Sequence, residues 1–174
     1  MTAVFVFAYL VLRATHVPCL RPKLVENYDL SRFIGNWYEM KRSFNFPNES
    51  GDCGTAQYAL KSDGTGITVT NTEWFLSTGK SNVAKANAYT SKWESGRNNV
   101  YFGGEFAGDY RVISTDYTNY AIVYSCTEIL GGCINIANYM WYLSRDKWIP
   151  GTVQHTAYVA KLDAIVKEKL PGLN

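Results

Sequence analysis

Between residues 36 and 144 the chain breaks into eight short apolar or alternating pieces, and every break carries turn chemistry. That pattern leaves little but an antiparallel sheet that closes or doubles on itself. The pieces run near 36–44, 54–61, 66–74, 83–91, 98–104, 109–114, 119–126 and 135–144. Between them stand Asn48 to Gly51, Ser62-Asp63-Gly64, Ser77 to Gly79, Glu94 to Arg97, Gly103 to Gly108, Asp116 to Asn119 and Gly131-Gly132, residue types that favour tight turns. With 13 Tyr, 8 Phe and 5 Trp, the composition suits half-buried pleated surfaces. From Thr152 the texture changes. Val153, Ala157, Ala160, Leu162, Ile165, Val166 and Leu170 recur at helical spacing between Pro150 and Pro171-Gly172, which predicts one amphipathic helix. No repeat, low-complexity tract or linker divides the chain, so the expected fold is one all-β domain, an up-and-down barrel or a sandwich, with a C-terminal helix.

Charge and motifs exclude several classes of function. The net charge is +2, with no long run of one sign, which argues against nucleic acid and acidic membranes as partners. Gly79-Lys80-Ser81 resembles the end of a phosphate-binding loop, but Trp74 stands where that loop needs its first glycine. No Gly-x-Ser-x-Gly occurs, His155 falls on the predicted helix, and neither His16 nor His155 falls on a strand to hold a haem. Glu39 and Glu73 can meet inside a barrel, where they read as hydrogen-bonded rim groups rather than a catalytic pair. No catalytic residue and no metal site is expected.

The entrance to the chain reads as a secretory leader. Ala3 to Leu12 is too short for a membrane-spanning helix, which needs about 20 apolar residues, but suits the apolar stretch of a signal, with cleavage near Ala14 to Val17. Residues 1–17 are therefore taken as leader and the mature chain as extracellular. Cys19, Cys53, Cys126 and Cys133 form no Cys-x-x-Cys pair, so disulfides in an oxidising compartment are the better account, in any of three pairings. Asn48-Glu49-Ser50 is an N-glycosylation acceptor pattern consistent with secretion.

Three pieces stand in one order: Gly35-Asn36-Trp37-Tyr38 on the first strand, Thr115-Asp116-Tyr117 between the sixth and seventh, and Leu143-Ser144-Arg145 ending the eighth. Together with the following helix they resemble the three signature regions of the kernel lipocalins, a family of eight-stranded barrels. Physical roles stand beside the resemblance. Gly35 permits a close backbone approach, Trp37 can plug one end with the Arg145 guanidinium over its face, and Thr115 and Asp116 suit a tight turn. All of these are scaffold roles. Cys19, Asn27-Tyr28-Asp29, Cys53-Gly54 and Thr115 to Cys126 resemble the apolipoprotein D branch, and within it the insect bilin-binding proteins and insecticyanins. In that branch the N-terminal cysteine ties to the one ending the seventh strand, which implies Cys19 with Cys126. The resemblance also gives Cys53 a partner near a C-terminus that this sequence does not reach. Residues 18–174 then form a barrel domain truncated before its final segment, or Cys53 is free, or it pairs with Cys133; truncation is the favoured account.

A barrel of this size holds one small ligand or is filled by side chains. Alternation from Trp37 places Glu39 and Lys41 on its face; alternation from Trp141 brings Tyr139 and Ala137, with Val123 and Ser125 on the next strand. The resemblance to bilin-binding proteins adds Asn71, Glu73, Ala84, Val100, Phe102, Tyr110 and Val112 as lining, and Asn45 to Asn48 as a mouth loop. It implies a secreted carrier that needs no cofactor but can hold a biliverdin-type chromophore, with Lys41, Lys80, Lys85, Arg97 and Arg111 as candidates to meet its two propionates. Retinoid, carotenoid, fatty acid or pheromone are the alternative ligands. A second class of function is protein or cell-surface recognition through loop residues such as Phe46 and Pro47, with a homodimer or a receptor as partner. A third is an isomerase with a cavity cysteine, disfavoured because Cys53 and Cys133 fall at strand ends.

Overall fold

The computed structural model describes residues 19–43, 50–129 and 134–173. The leader at 1–17, the acceptor Asn48, the mouth loop at 45–48 with Phe46 and Pro47, and Cys133 lie outside the described residues. A short helix α1 (Leu30–Phe33) leads into eight strands: β1 (Gly35–Arg42), β2 (Cys53–Leu60), β3 (Ile67–Phe75), β4 (Lys80–Thr90), β5 (Arg97–Phe102), β6 (Glu105–Thr115), β7 (Tyr120–Ile129) and β8 (Ile134–Ser144). Each pairs antiparallel with its neighbour in sequence and β8 returns to β1, so the sheet is a closed barrel with no free edge. Helix α2 (Val153–Lys169) follows.

Most strand boundaries fall within two residues of the sequence reading; β4 begins and β7 ends three residues beyond it, and the start of β6 departs most. The Gly-rich stretch 103–108 is not a loop. Gly103 and Gly104, with φ of 57° and 96°, make a two-residue hairpin turn, so that Phe102 pairs with Glu105 and β6 begins four residues earlier than expected. Ala107 is then the extra residue of a bulge, since Val100 pairs with Gly108 while Tyr101 pairs with Phe106.

Alternation gives the barrel two apolar sides. Inside, Phe33, Trp37, Val112, Ala121, Val123 and Leu143 pack into a solid floor at the end where β1 starts. Outside, Ile113, Ile122, Tyr124, Met140 and Tyr142 meet Leu162 and Val166 of α2 and Leu170 just past its end. The helix is placed by its ends as well as by that stripe. Thr152 caps it by accepting from the His155 N–H at 3.3 Å, Lys167 and Lys169 sit in its last turn, and Trp148 stacks on Tyr158 at 4.9 Å. Cys19 and Cys126 form a disulfide that ties the N-terminal segment to β7. Cys53 opens β2 as an exposed free thiol.

Candidate functional site

The closed end is built from the three sequence pieces. Trp37 is fully buried; its Nε1 donates to the Phe33 carbonyl at 2.9 Å, and the Arg145 guanidinium lies 3.7 Å over its ring. The same guanidinium donates to the carbonyls of Asn36 at 2.8 Å, Ile34 at 2.9 Å, and Arg32 and Tyr117 at 3.1 Å. Burial lowers its pKa from the ordinary arginine value. Gly35, at φ 99°, leaves the room: a Cβ there would lie 3.2 Å from Arg145 Nη1. In the β6–β7 turn, Asp116 Oδ1 accepts from the backbone N–H groups of Thr118, Asn119 and Tyr120. Thr115 Oγ1 accepts from Tyr117 N and donates to the Tyr120 carbonyl. Tyr117 adopts φ 68°, stacks on Tyr28, and its hydroxyl accepts from Asp29 N at 3.0 Å, which seats α1 under the barrel.

Above this floor the barrel is hollow, with a cavity of about 550 Å³. Phe102, 40% exposed, stands on its wall, so the upper end meets solvent. On β3 and β4 the wall includes Asn71, Glu73 and Ala84; on β5 and β6, Val100, Phe102 and Tyr110; on β7 and β8, Ser125, Tyr139 and Trp141. Each was placed on the lining by the sequence reading. Tyr139 and Trp141 lie 6.1 Å apart, and the hydroxyls of Tyr58 and Tyr110 meet at 2.8 Å just above Phe33.

Other expected lining residues are placed elsewhere. Val112 and Val123 face inward, but both are fully buried in the packing around Trp37 and never reach the void. Ala137 pairs with Thr127 near the mouth, and its single methyl is not part of the wall, although Thr127 is. Lys41 is expected on the face of Trp37, yet it points outward. Glu39 pairs with Leu143 and Lys41 with Tyr142, so Met40 is a bulged residue and the alternation reverses after it. Lys41 therefore reaches Asp163 of α2 at 2.8 Å, and Arg42 takes the inward side.

The other expected cations also miss the cavity. Lys85 is exposed on the outer face, one residue out of step with Ala84 and Ala86, and Lys80 is exposed at the start of β4. Arg111 is buried outside the barrel, its Nε 2.5 Å from Asp109 and its Nη1 on the Leu20 carbonyl, and Arg97 pairs with Glu94 and Asp109. Among the described residues, the charged side chains at the upper wall are Glu39 and Glu73, with Arg42 paired to them, while Asp109 touches the wall but turns its carboxylate outward to Arg111.

The sequence reading missed Tyr28, Phe33, Tyr58, Ile67, Val69, Asn98 and Leu143, all on the wall. Period two carried down β3 from Glu73 and Asn71 reaches Val69 and Ile67, and along β2 from Gly54 reaches Ala56 and Tyr58, so these were findable. Phe33 and Tyr28 belong to the segment beneath the barrel, where no alternation points to them. Burial pushes the Tyr28 phenol up from its ordinary value.

Residues 28–164 match the lipocalin-like domain family. The chain is a lipocalin. It is 32% identical to apolipoprotein D of Bos taurus over 158 residues, covering 87% of this chain and 79% of that one. It is 31% identical to the bilin-binding protein of Pieris brassicae over 139 residues, covering 76% and 70%. The structure of insecticyanin from Manduca sexta superposes with a TM-score of 0.66 at 27% identity, covering 86% of this chain and 78% of the other. Lipocalins are carriers of small hydrophobic molecules rather than enzymes in general, and the hollow of this barrel is where such a molecule fits. No helix among the described residues is long and apolar enough to cross a membrane. No group of three or more metal-ligating side chains occurs among them.

Proposed function

We propose that this lipocalin is a secreted carrier that holds one flat or extended hydrophobic molecule above the Trp37 floor, with Asn71, Glu73, Ala84, Val100, Phe102, Tyr110, Ser125, Tyr139 and Trp141 as its contacts. The observation that carries the reading is the hollow itself: about 550 Å³ walled by aromatic and small side chains, with one end sealed. The disulfide between Cys19 and Cys126 supports an oxidising, extracellular compartment.

A bilin-type tetrapyrrole is the first candidate ligand, supported by the 31% identical bilin-binding protein. Its two carboxylates would stay at the mouth, because the wall carries Glu39 and Glu73 and its guanidinium, Arg42, is already paired to Glu39. An uncharged lipid is the second reading. The same excess of acidic charge on the wall favours it, and the resemblance to apolipoprotein D agrees. Titrating the purified chain with biliverdin and with retinol, followed by absorbance and by quenching of tryptophan fluorescence, tests both. A shifted long-wavelength band with biliverdin supports the bilin; saturable quenching by retinol alone supports the lipid. Failure of both ligands to bind, with the barrel folded by circular dichroism, refutes the carrier reading.

A further inference from the structure

The upper wall holds two carboxylates and one guanidinium. Arg42 Nη1 lies 2.9 Å from Glu39 Oε1 and 3.9 Å from Glu73 Oε1, and Arg42 Nη2 donates to the Gly51 carbonyl. Arg42 is thus committed to Glu39 and to the backbone, and Glu73 receives only the outer reach of its charge. The Glu73 side chain is 9% exposed, and its Oε1 has no hydrogen-bond partner. Two residues along the same face of β3, the Asn71 carbonyl oxygen is also buried without a partner. Both residues line the cavity. The third acidic residue of the wall, Asp109, is already satisfied by Arg111 at 2.5 Å, with Arg97 at 3.6 Å.

The backbone is shaped around these acids. A Cβ on Gly54 would lie 2.7 Å from Glu39 Oε2, and one on Gly51 would lie 2.7 Å from the Glu73 Cβ. Glycine at both positions lets the strand β2 close on the Glu39 carboxylate and the loop before it close on β3 at the base of the Glu73 side chain. A buried acceptor left unpaired is costly, and a buried charge without its counter-charge is more so. The arrangement therefore has one negative charge too many and two acceptors too many for the protein's own donors, and all three belong to side chains that line the void.

We propose that the ligand of this lipocalin carries a protonated amine on its apolar body, with the ammonium beside the Glu73 carboxylate and the Asn71 side-chain amide. The inference rests on the carrier reading above and narrows it to a lipophilic amine. An ammonium supplies the missing charge and up to three donors, where an alcohol supplies one donor and a carboxylate supplies neither. Trp141, the cross-strand partner of Arg42, and Tyr139 line the same cavity, and aromatic walls also favour a cation.

Decylamine, decanol and decanoate, which share one alkyl chain, test the proposal by calorimetric titration of the full chain below their micellar concentrations. The expected order is amine, then alcohol, then acid, with the amine ahead of the alcohol by about tenfold or more. The net charge of +2 works against any general attraction of amines to the surface, so the preference reports the cavity. Glu73→Gln should bring the amine-to-alcohol ratio towards one. Equal binding of amine and alcohol by the unmodified chain overturns the amine inference and leaves the carrier reading standing. Absence of binding by all three overturns the amine inference, while the titrations with biliverdin and retinol decide the carrier reading, and the comparison on the unmodified chain decides even if the variant does not fold.

Discussion

Arg145→Ala should be among the most damaging single changes outside the cavity, because this one side chain closes the bottom of the barrel. It donates to five backbone carbonyls from three separate segments, Arg32, Phe33 and Ile34 of the α1 region, Asn36 of β1, and Tyr117 of the β6–β7 turn, while covering the Trp37 ring at 3.7 Å. A hydrogen bond from a charged donor contributes about 1.5–3 kcal/mol net, and the ring contact about 0.5–1 kcal/mol. The five bonds share one group and some carbonyls will regain water on truncation, so the terms do not add; about 3 kcal/mol is the expected loss. For a chain of this length that is a fall in Tm of about 6–12 °C. Arg145→Lys keeps the charge but offers a single ammonium where a planar fork reaches three segments, and should recover less than half of the loss. Urea and thermal unfolding followed by far-ultraviolet circular dichroism measure both variants. A loss below about 1 kcal/mol, or full recovery by lysine, would mean that the closed end is held by the Trp37 packing alone.

Reducing the disulfide, or replacing Cys19 and Cys126 by serine, frees a span of 107 residues and should cost about 2–5 kcal/mol, read as a lower urea midpoint. Gly66→Ala should cost about 2 kcal/mol or more by the same measurement, since a Cβ there would press on the Ala88 carbonyl of the neighbouring strand, whereas the same change at an open turn position would not. Burial alone would raise the Asp116 carboxyl, but donation by the Asn119 side chain and by three backbone N–H groups outweighs it and holds the group below the usual aspartate range. Its contribution is therefore complete at neutral pH and is lost as pH falls below about 4; Tm of Asp116→Asn should start lower and fall less between pH 7 and 3 than that of the parent chain. Trp141→Ala should weaken any ligand that fills the cavity by about 1–3 kcal/mol through lost aromatic burial; an unchanged affinity in titration would place the ligand elsewhere.

Strand count, order and the terminal helix were legible because alternation and turn residues are local signals, and each piece from β1 to β8 carries its own. The closed end was legible through chemistry: glycine, tryptophan and arginine at Gly35, Trp37 and Arg145 have a joint geometric use that few other residue types could serve. The cavity wall was legible only as far as the register held. Met40 is one extra residue in β1, and it turned Lys41 from a cavity cation into an outer partner of Asp163 while bringing Arg42 inside. Bulges of this kind leave no local mark, since Met40-Lys41-Arg42 reads equally well in either phase. Val112 and Val123 failed differently. Their direction was right, but how high the floor fills depends on how Phe33 and Trp37 stack at 5.1 Å, a contact made by a helix of only four residues beneath the barrel.

That division of the interior explains how one barrel can be both stable and hollow. Packing inside stops at the level of the Tyr58–Tyr110 hydroxyl pair, and below it large rings meet at centroid distances of 5.1 to 6.5 Å. Above that level the void has to be held open without the support of a packed core. The second apolar cluster supplies the support from outside, where α2 packs Leu162 and Val166 on Ile113, Ile122 and Tyr124. Small residues at Ala56, Ala84 and Gly108 then set the width. A consequence follows for the acidic upper wall. Because stability resides in the floor and in the helix face, the unpaired acceptors at Asn71 and Glu73 can persist at a cost the fold tolerates, and a ligand that pairs them should raise Tm more than an apolar ligand of equal size.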